Sequence, residues 1–584
     1  MATRAVEPQR GWMRAGIPVA LIGAGFLVHL LYIRAYAVNT PFQDQWAFVD
    51  TLRAVEAGHA ARALFAQHNE HRILFPRLFF LALAPLRGWN LVLEAYADLA
   101  VVAVWLLGLW RLYRGTCTTG PGGFLPVAAL VLSLGQWQNI LSGWQVATYL
   151  VVAGCAWSLH LLAMPTASRT AVAVLAALVS TFSLNNGLLI WPVGVALLLA
   201  RRSGARTVMA WAAAGALAAL AYYQGYERPG EIPGPGLAMR QPVQTFGFVI
   251  ADVGSPLGEG RVRSSLVFGA LLVVAAAAYA WQRGAARRRL TAGEAACLGV
   301  ALFSLLSSCA IAVGRVGLGL TAAVGSKYTT IASLGIAALY ILVLASYERR
   351  RDRPPALITY VGLVTVMATG LTLTNLWGLE EGPRLRAQRA RAKYILQTFD
   401  RQPDEALLTM YHDAGAVRDF ASFLRRRRLA AFRDPADLLL LVRWREGVPL
   451  GEILPDRPVV QSLTCPVATL RDLAVQVITY GRRNTSTVHL ALFVDGRPWA
   501  EAVVPATGLA DAGWGWLDLQ QPVAGCLGRP LELRISSADA TPGNAISLWT
   551  YPPYYERRLS QPAAVGQDRV VGLQINARWY GLAD

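Results

Sequence analysis

Residues 39–77 set a dense run of chemically capable groups between long apolar stretches. Asp44 and Trp46 lie together in PFQDQW, and the run His68, Asn69, Glu70, His71, Arg72 follows. A carboxylate in a partly apolar cleft can act as a general base on a hydroxyl nucleophile. Cations placed opposite can neutralise a phosphate leaving group. Asp44 with Arg72, Arg315 and Lys327 supplies those parts for moving a group off a phosphate-activated lipid. The amides of Gln138, Asn139, Gln145, Asn185 and Asn186 can hydrogen-bond sugar hydroxyls, and Trp46, Trp137 and Trp144 can stack on a sugar face.

The same residues also have plainer uses. Asp44 can N-cap a helix over 45–57. His68 and His71 can sit at lipid headgroups. With Glu70 they lack the i, i+4 spacing of a helical zinc site, so no metal is expected there. Glu70 can pair with Arg72 or Arg77, and Arg315 and Lys327 can anchor at headgroups. Asn185 and Asn186 can cap broken helix ends. Glu94 and Asp98, an i, i+4 pair, are expected to serve structure with a buried arginine as partner. Trp514 and Trp516 suit a sugar platform or a sandwich core.

The elements that must position these groups are mostly membrane-length helices. The chain has 584 residues, 54% of them hydrophobic and 15% charged. Long apolar runs separated by short basic loops are the pattern of a polytopic α-helical membrane protein. The net charge of +18 is mostly arginine in those loops, where it sets topology and argues against nucleic acid as a partner. The first apolar run, 15–38, is too long for a signal-peptide core and lacks a small-residue cleavage site. It is expected to stay as a start-transfer helix, with Arg4, Arg10 and Arg14 in the cytoplasm.

An amphipathic helix is expected near 43–57. The apolar stretch 73–87 is about 15 residues long, against roughly 20 needed to cross, and Pro76, Pro85 and Gly88 interrupt it. It is expected to lie in the interface. Further spans are expected at 90–110, 124–141, 145–164, 170–184, 187–200, 205–224, 264–282, 294–313, 326–346 and 355–377. Each inward turn then carries arginine, as at Arg111 and Arg114, Arg169, Arg201 and Arg202, Arg283, and Arg349 to Arg351. This bias supports about eleven spans, N-terminus cytoplasmic and C-terminus outside. Residues 170–200, around SLNNG (183–187), can instead form a broken or re-entrant pair.

The transmembrane module is thus expected over 1–378. A charged, helix-periodic region covers 379–454, with RRRR at 425–428 reading as a solvated helix face. From 455 to 584 short alternating runs (LAVQVITY, TVHLALFVDG, RPWAEAVVP, WGWLDL, LELRISS, AISLWTY) argue a β-sandwich or jelly roll. Cys465 and Cys526 both fall there, and an extracytoplasmic location would favour a disulfide between them.

The layout resembles the GT-C superfamily of integral-membrane glycosyltransferases, which includes aminoarabinose transferases and protein O-mannosyltransferases. Asp44 in PFQDQW matches the position of that family's catalytic acid, in the first outer loop just after the first span. Glu70 in HNEHR resembles a second acidic position, with His71 beside it, and SKY (326–328) resembles a basic–Tyr pair near the donor phosphate, with Lys327 where arginine is often found. QWQNILSGWQ and NNGLLIWP look like bacterial members. The C-terminal β-region is similar in kind to the carbohydrate-binding jelly rolls of mycobacterial arabinosyltransferases.

The resemblance implies a metal-independent, inverting glycosyltransferase at the outer face of a bacterial cytoplasmic membrane. Its donor would be a polyprenyl-phosphate sugar and its acceptor a hydroxyl on a glycan, lipid or protein. Asp44, Glu70 and His71 would be catalytic; Arg72, Arg315, Lys327 and Tyr328 would hold the donor phosphate; Trp46 and the amides named above would bind sugar. A lipid-linked glycan ligase or polymerase, and a transporter or flippase with an outer domain, are the alternatives.

Overall fold

The computed structural model describes residues 9–229, 235–285, 289–397, 399–401, 404–433, 448–465, 469–509, 511, 514–526 and 528–551, with short strands between 564 and 582. The chain builds two compact units. One comprises Met1–Ala37 with Asp50–Gly382, the other Val38–Val49 with Pro383–Asp584.

The first unit is helical. Among the described residues, 8 helices are long and apolar enough to cross a membrane: Gly16–Tyr36, Leu91–Arg114, Gly143–Leu162, Ala205–Tyr223, Val262–Ala285, Ala292–Leu318, Thr329–Glu348 and Pro354–Gln397. Each satisfies its backbone internally, which lets such apolar runs leave water. Thr329–Glu348 is the central post and is buried along nearly its whole length. Trp105, Tyr113, Phe124, Trp211, Phe303 and Tyr340 fill the surrounding core.

Three of the expected spans are short or broken. Ala167–Thr181 and Asn185–Ala200 are apolar but shorter than the others. The continuous span expected over 124–141 does not form. Leu125–Val131 is 7 residues long, and a short turn and Trp137–Ile140 follow it. That is about 10 Å of helix, a third of a bilayer core. The cause is Gln136, whose amide donates to the carbonyls of Leu130 and Val131 that the helix end releases. A helix the sequence pattern did not signal, Pro242–Gly254, starts on a proline and packs on Val262–Ala285. Gly254 and Gly269 allow the approach, because a Cβ on either would meet backbone of the facing segment. The stretch expected as an interfacial helix is Leu74–Arg87, stopped by Gly88 in the left-handed region at φ 62°.

The second unit has a helical and a β part. Ala414–Arg427 buries Val417, Phe420 and Leu424 and places Arg425 to Arg427 in its last turn, where the helix dipole favours cations. Residues 434–447, within the expected helical region, lie outside the described residues. Each alternating run named above forms a strand. One 6-stranded sheet is built around Thr469–Ile478, and the other includes, in order, Val459–Thr464, Pro530–Ser536, Thr487–Val494 and Arg497–Pro505. Their inward residues, among them Leu473, Val475, Leu490, Leu492 and Leu533, share one core. The side chains of Trp514 and Trp516 lie outside the described set.

A disulfide joins Cys465 and Cys526, with Cα atoms 5.7 Å apart and a separation of 61 in sequence. Loop-closure entropy for such a ring is about 4 kcal/mol. Reduction, or Cys526→Ser, should lower the stability of the β part by about that amount. Denaturant titration followed by tryptophan fluorescence with and without reductant measures it; unchanged midpoints would contradict it.

Candidate functional site

The stretch 39–77 does not act as one loop. Its first part is built into the second unit. The Asn39 amide donates to the Ala430 carbonyl (3.1 Å), and the Gln43 N–H donates to that of Met410 (3.0 Å). The Arg389 guanidinium lies over the Phe42 ring at 4.0 Å. A single 3-10 turn, Gln43–Trp46, is closed by the Gln45 side chain accepting from the Phe42 N–H (3.1 Å). Trp46, Phe48 and Val49 are buried. Asp44 projects from this turn exposed, and its carboxylate has no hydrogen-bond or ion-pair partner among the described residues. It takes no capping role. Trp46, expected as a sugar-stacking surface, is instead core: it is 0% exposed and stacked on Phe420 at 6.0 Å.

The second part belongs to the first unit. Gln67–His68 and His71–Arg72 pair as a small hairpin, with Asn69 in the left-handed region at φ 48°. Gln67 ties it to the backbone of Glu227 through both ends of its amide. Arg72 holds it from below. Its guanidinium donates to the carbonyls of Phe65, Tyr222 and Gln224 and lies over the Phe65 ring. That corrects its assignment to donor phosphate, because Arg72 is 5% exposed and its cationic face is spent on backbone. Arg77 is used likewise, on the carbonyls of Leu64 and Ala66.

The hairpin presents Glu70 to Arg315, at the end of Ala292–Arg315, in an ion pair of 2.7 Å. Tyr222 donates its hydroxyl to the Glu70 carbonyl (2.9 Å). The His71 Nδ1 accepts from the Asn185 N–H (3.2 Å), and its Nε2 lies 3.7 Å from Glu70. Glu70, His71, Arg315 and the Asn185 turn are therefore brought together. His68 meets the edge of Trp144, which stacks on Phe80 at 5.4 Å, so that indole is occupied too.

A polar clamp positions the remaining cation. Ser326 accepts from the Gln138 N–H and donates to the Gly135 carbonyl. Gln138 accepts from the Lys327 N–H, and Asn139 donates to the Lys327 carbonyl and to Thr330. Thr330 in turn donates to Gln136. Gln138 and Asn139, expected on sugar, thus use the oxygen of one amide and the nitrogen of the other to join the 134–141 turn to the 326–330 turn; Asn139 is 0% exposed. The product is an exposed Lys327 whose ammonium lies 5.1 Å from the Tyr328 ring and has no ion-pair partner among the described residues. Of the other amides, Gln145 accepts from Thr148, Asn185 is half-buried, and Asn186 is 8% exposed.

Residues 136, 326 and 330 escape sequence reading because QWQN and SKYTT lie far apart in the chain. The buried arginine expected beside Glu94 and Asp98 is also missing. Glu94 accepts from Trp89 (3.0 Å), and Asp98 has no partner on either oxygen among the described residues.

Two substitutions separate support from chemistry. Gln136→Leu strips partners from Thr330 and from the carbonyls of Leu130 and Val131, and should cost on the order of 3 kcal/mol. Arg72→Ala should cost a similar amount, about 3 kcal/mol, by leaving its carbonyls unpaired. Thermal unfolding in detergent should show both; a wild-type midpoint in either would contradict the packing described.

No protein-family model matches the chain, and no curated protein matches it. Among solved structures it is similar to the single-particle cryo-EM structure of arabinosyltransferase EmbB from Mycobacterium smegmatis, at 12% identity and a TM-score of 0.33. The match covers 98% of this chain and 66% of that one, so this chain spans just under two thirds of its neighbour's length.

Proposed function

We propose that the protein is a membrane glycosyltransferase that moves a sugar from a polyprenyl-phosphate donor to an acceptor hydroxyl. The observation that carries this reading is Asp44, an exposed carboxylate with no ion pair or hydrogen bond among the described residues, on a turn whose Gln45 and Trp46 are buried. It follows directly after a membrane-length helix. A carboxylate without a counter-charge keeps its lone pairs for a hydroxyl proton.

In this reading the acceptor oxygen attacks the anomeric carbon as its proton passes to Asp44. The bond from that carbon to the phosphate oxygen breaks, the configuration inverts, and the lipid phosphate leaves as an anion. On the helical unit, Lys327, with Tyr328 beside it, is the cation proposed for a lipid phosphate. Arg315 contributes less, because Glu70 already neutralises it. Gln145, Asn185 and Asn186 remain as hydrogen-bonding groups for sugar. The acceptor is a glycan, lipid or protein hydroxyl. The active face is the outer side of a cytoplasmic membrane, the N-terminus inside and the β part outside with a glycan-binding role. No metal takes part.

A second reading, a coupled transporter, is favoured by one observation. Asp98 and Asp252 are fully buried carboxylates without hydrogen-bond partners among the described residues, and such groups mark ion pathways in membranes.

Asp44→Asn should lower transfer by about 10²- to 10⁴-fold while leaving donor binding intact. Lys327→Ala should weaken donor binding by about tenfold or more. Both are measured with purified protein and a radiolabelled prenyl-phosphate sugar. Near wild-type turnover in Asp44→Asn would overturn the reading, and substrate flux into proteoliposomes lacking any acceptor would favour the transporter.

A further inference from the structure

Asp252 lies in the last turn of Pro242–Gly254, is 0% exposed, and has no hydrogen-bond donor on either carboxylate oxygen. Ser308 of the Ala292–Arg315 helix stands beside that carboxylate. Ser255 follows within a turn on its own segment. Ser265, at the start of Val262–Ala285, lies against Gly258 in the same connection. The hydroxyls of Ser255, Ser265 and Ser308 are all buried, and none has a partner among the described residues. The elements carrying them pack on one another.

An ionised carboxylate so placed is strongly unfavourable unless something of positive charge meets it. Its position makes matters worse, because a helix C-terminus carries partial negative charge and free carbonyls. The Asp252 carbonyl accepts from the Ser255 N–H and the Ser255 carbonyl from the Gly258 N–H, which leaves each a second lone pair for a cation. After Gly254 the chain turns through Ser255–Leu257 and then through Glu259 and Gly260 in the left-handed region, at φ 49° and 71°. The feature that penalises an anion attracts a cation. Carboxylate, hydroxyls and the freed carbonyls of a short helix are the groups with which membrane proteins hold sodium.

The donor atoms are all oxygen, which selects a hard cation. Among the described residues no group of three or more His, Cys, Asp or Glu side chains could hold a metal ion, so this is not a multi-carboxylate site. One carboxylate balances a single positive charge, and among the described residues no lysine, arginine or histidine is paired with it; the Cys309 thiol is its titratable neighbour.

We propose that Asp252, with Ser255, Ser308 and the carbonyls ending the 242–254 helix, binds a monovalent alkali cation. The site stands apart from the transferase reading and uses the same Asp252 on which the transporter reading draws. It ties the short helix to the two longer ones at a depth of about 10 Å from the Arg315 end, counted along that helix from Ser308.

The test uses the full chain in zwitterionic-lipid nanodiscs. Thermal unfolding is followed while NaCl, KCl or LiCl replaces choline chloride at constant ionic strength. At least one alkali chloride should raise the wild-type midpoint by several degrees, with saturation. Asp252→Asn should abolish the response. Ser308→Ala should shift half-saturation upward by about tenfold, and it carries the test if the Asp252 variant does not fold. The proposal is overturned if midpoints are equal in all four salts. It is also overturned if only MgCl2 or CaCl2 acts, or if both variants keep the wild-type response. An Asp252→Asn protein more stable than wild type in every salt, with no alkali response in either, would mean that the site holds a proton instead.

Discussion

Wherever a helix of this chain stops inside the packed bundle, the carbonyls and amides it releases must find partners from a very small stock of polar side chains. Much else in the helical unit follows from that shortage. Gln136 serves the end of Leu125–Val131, Arg72 serves the end of Ala205–Tyr223, and Glu348 accepts from the backbone amides of Thr118 and Thr119. Groups that look like reagents in the sequence are drawn into carpentry because nothing else is available to do it.

The same shortage sorts the cations. Arg72 and Arg77 are committed to backbone, Arg315 to Glu70, and Arg349 to the buried Glu294. Lys327 is left, held out on a turn that several side chains secure from behind. A flexible ammonium on a rigid base suits a phosphate that arrives and leaves, whereas a buried guanidinium with its donors engaged does not.

Periodicity carried much of the architecture. Apolar runs of helix length gave the membrane-length helices, and alternation with β-branched residues gave the strands of the C-terminal part, including Thr487–Val494 with Val488, Leu490, Leu492 and Val494 facing inward. It failed at 124–141, where composition is apolar but Ser133 and Gln136 break the helix through specific hydrogen bonds. It failed again at Pro242–Gly254, a helix too short and too flanked by turns to register as a span. In the site, an isolated charge such as Asp44 was legible because local chain order places it. The fates of Trp46, Arg72 and Asn139 were not, since each depends on a partner far away in sequence, namely Phe420, Tyr222 and Thr330.

The segment 38–49 belongs to a body whose remaining residues begin only at 383. A secreted fragment cut at Pro383 would therefore be missing an interior piece: Phe420 would lose Trp46, Arg389 its aromatic cover, and the Met410 and Ala430 carbonyls their donors. During synthesis that body cannot be completed until hundreds of residues after its first contribution has left the ribosome. The twelve-residue loan must wait, greasy and half-folded, for the rest of its partners to arrive.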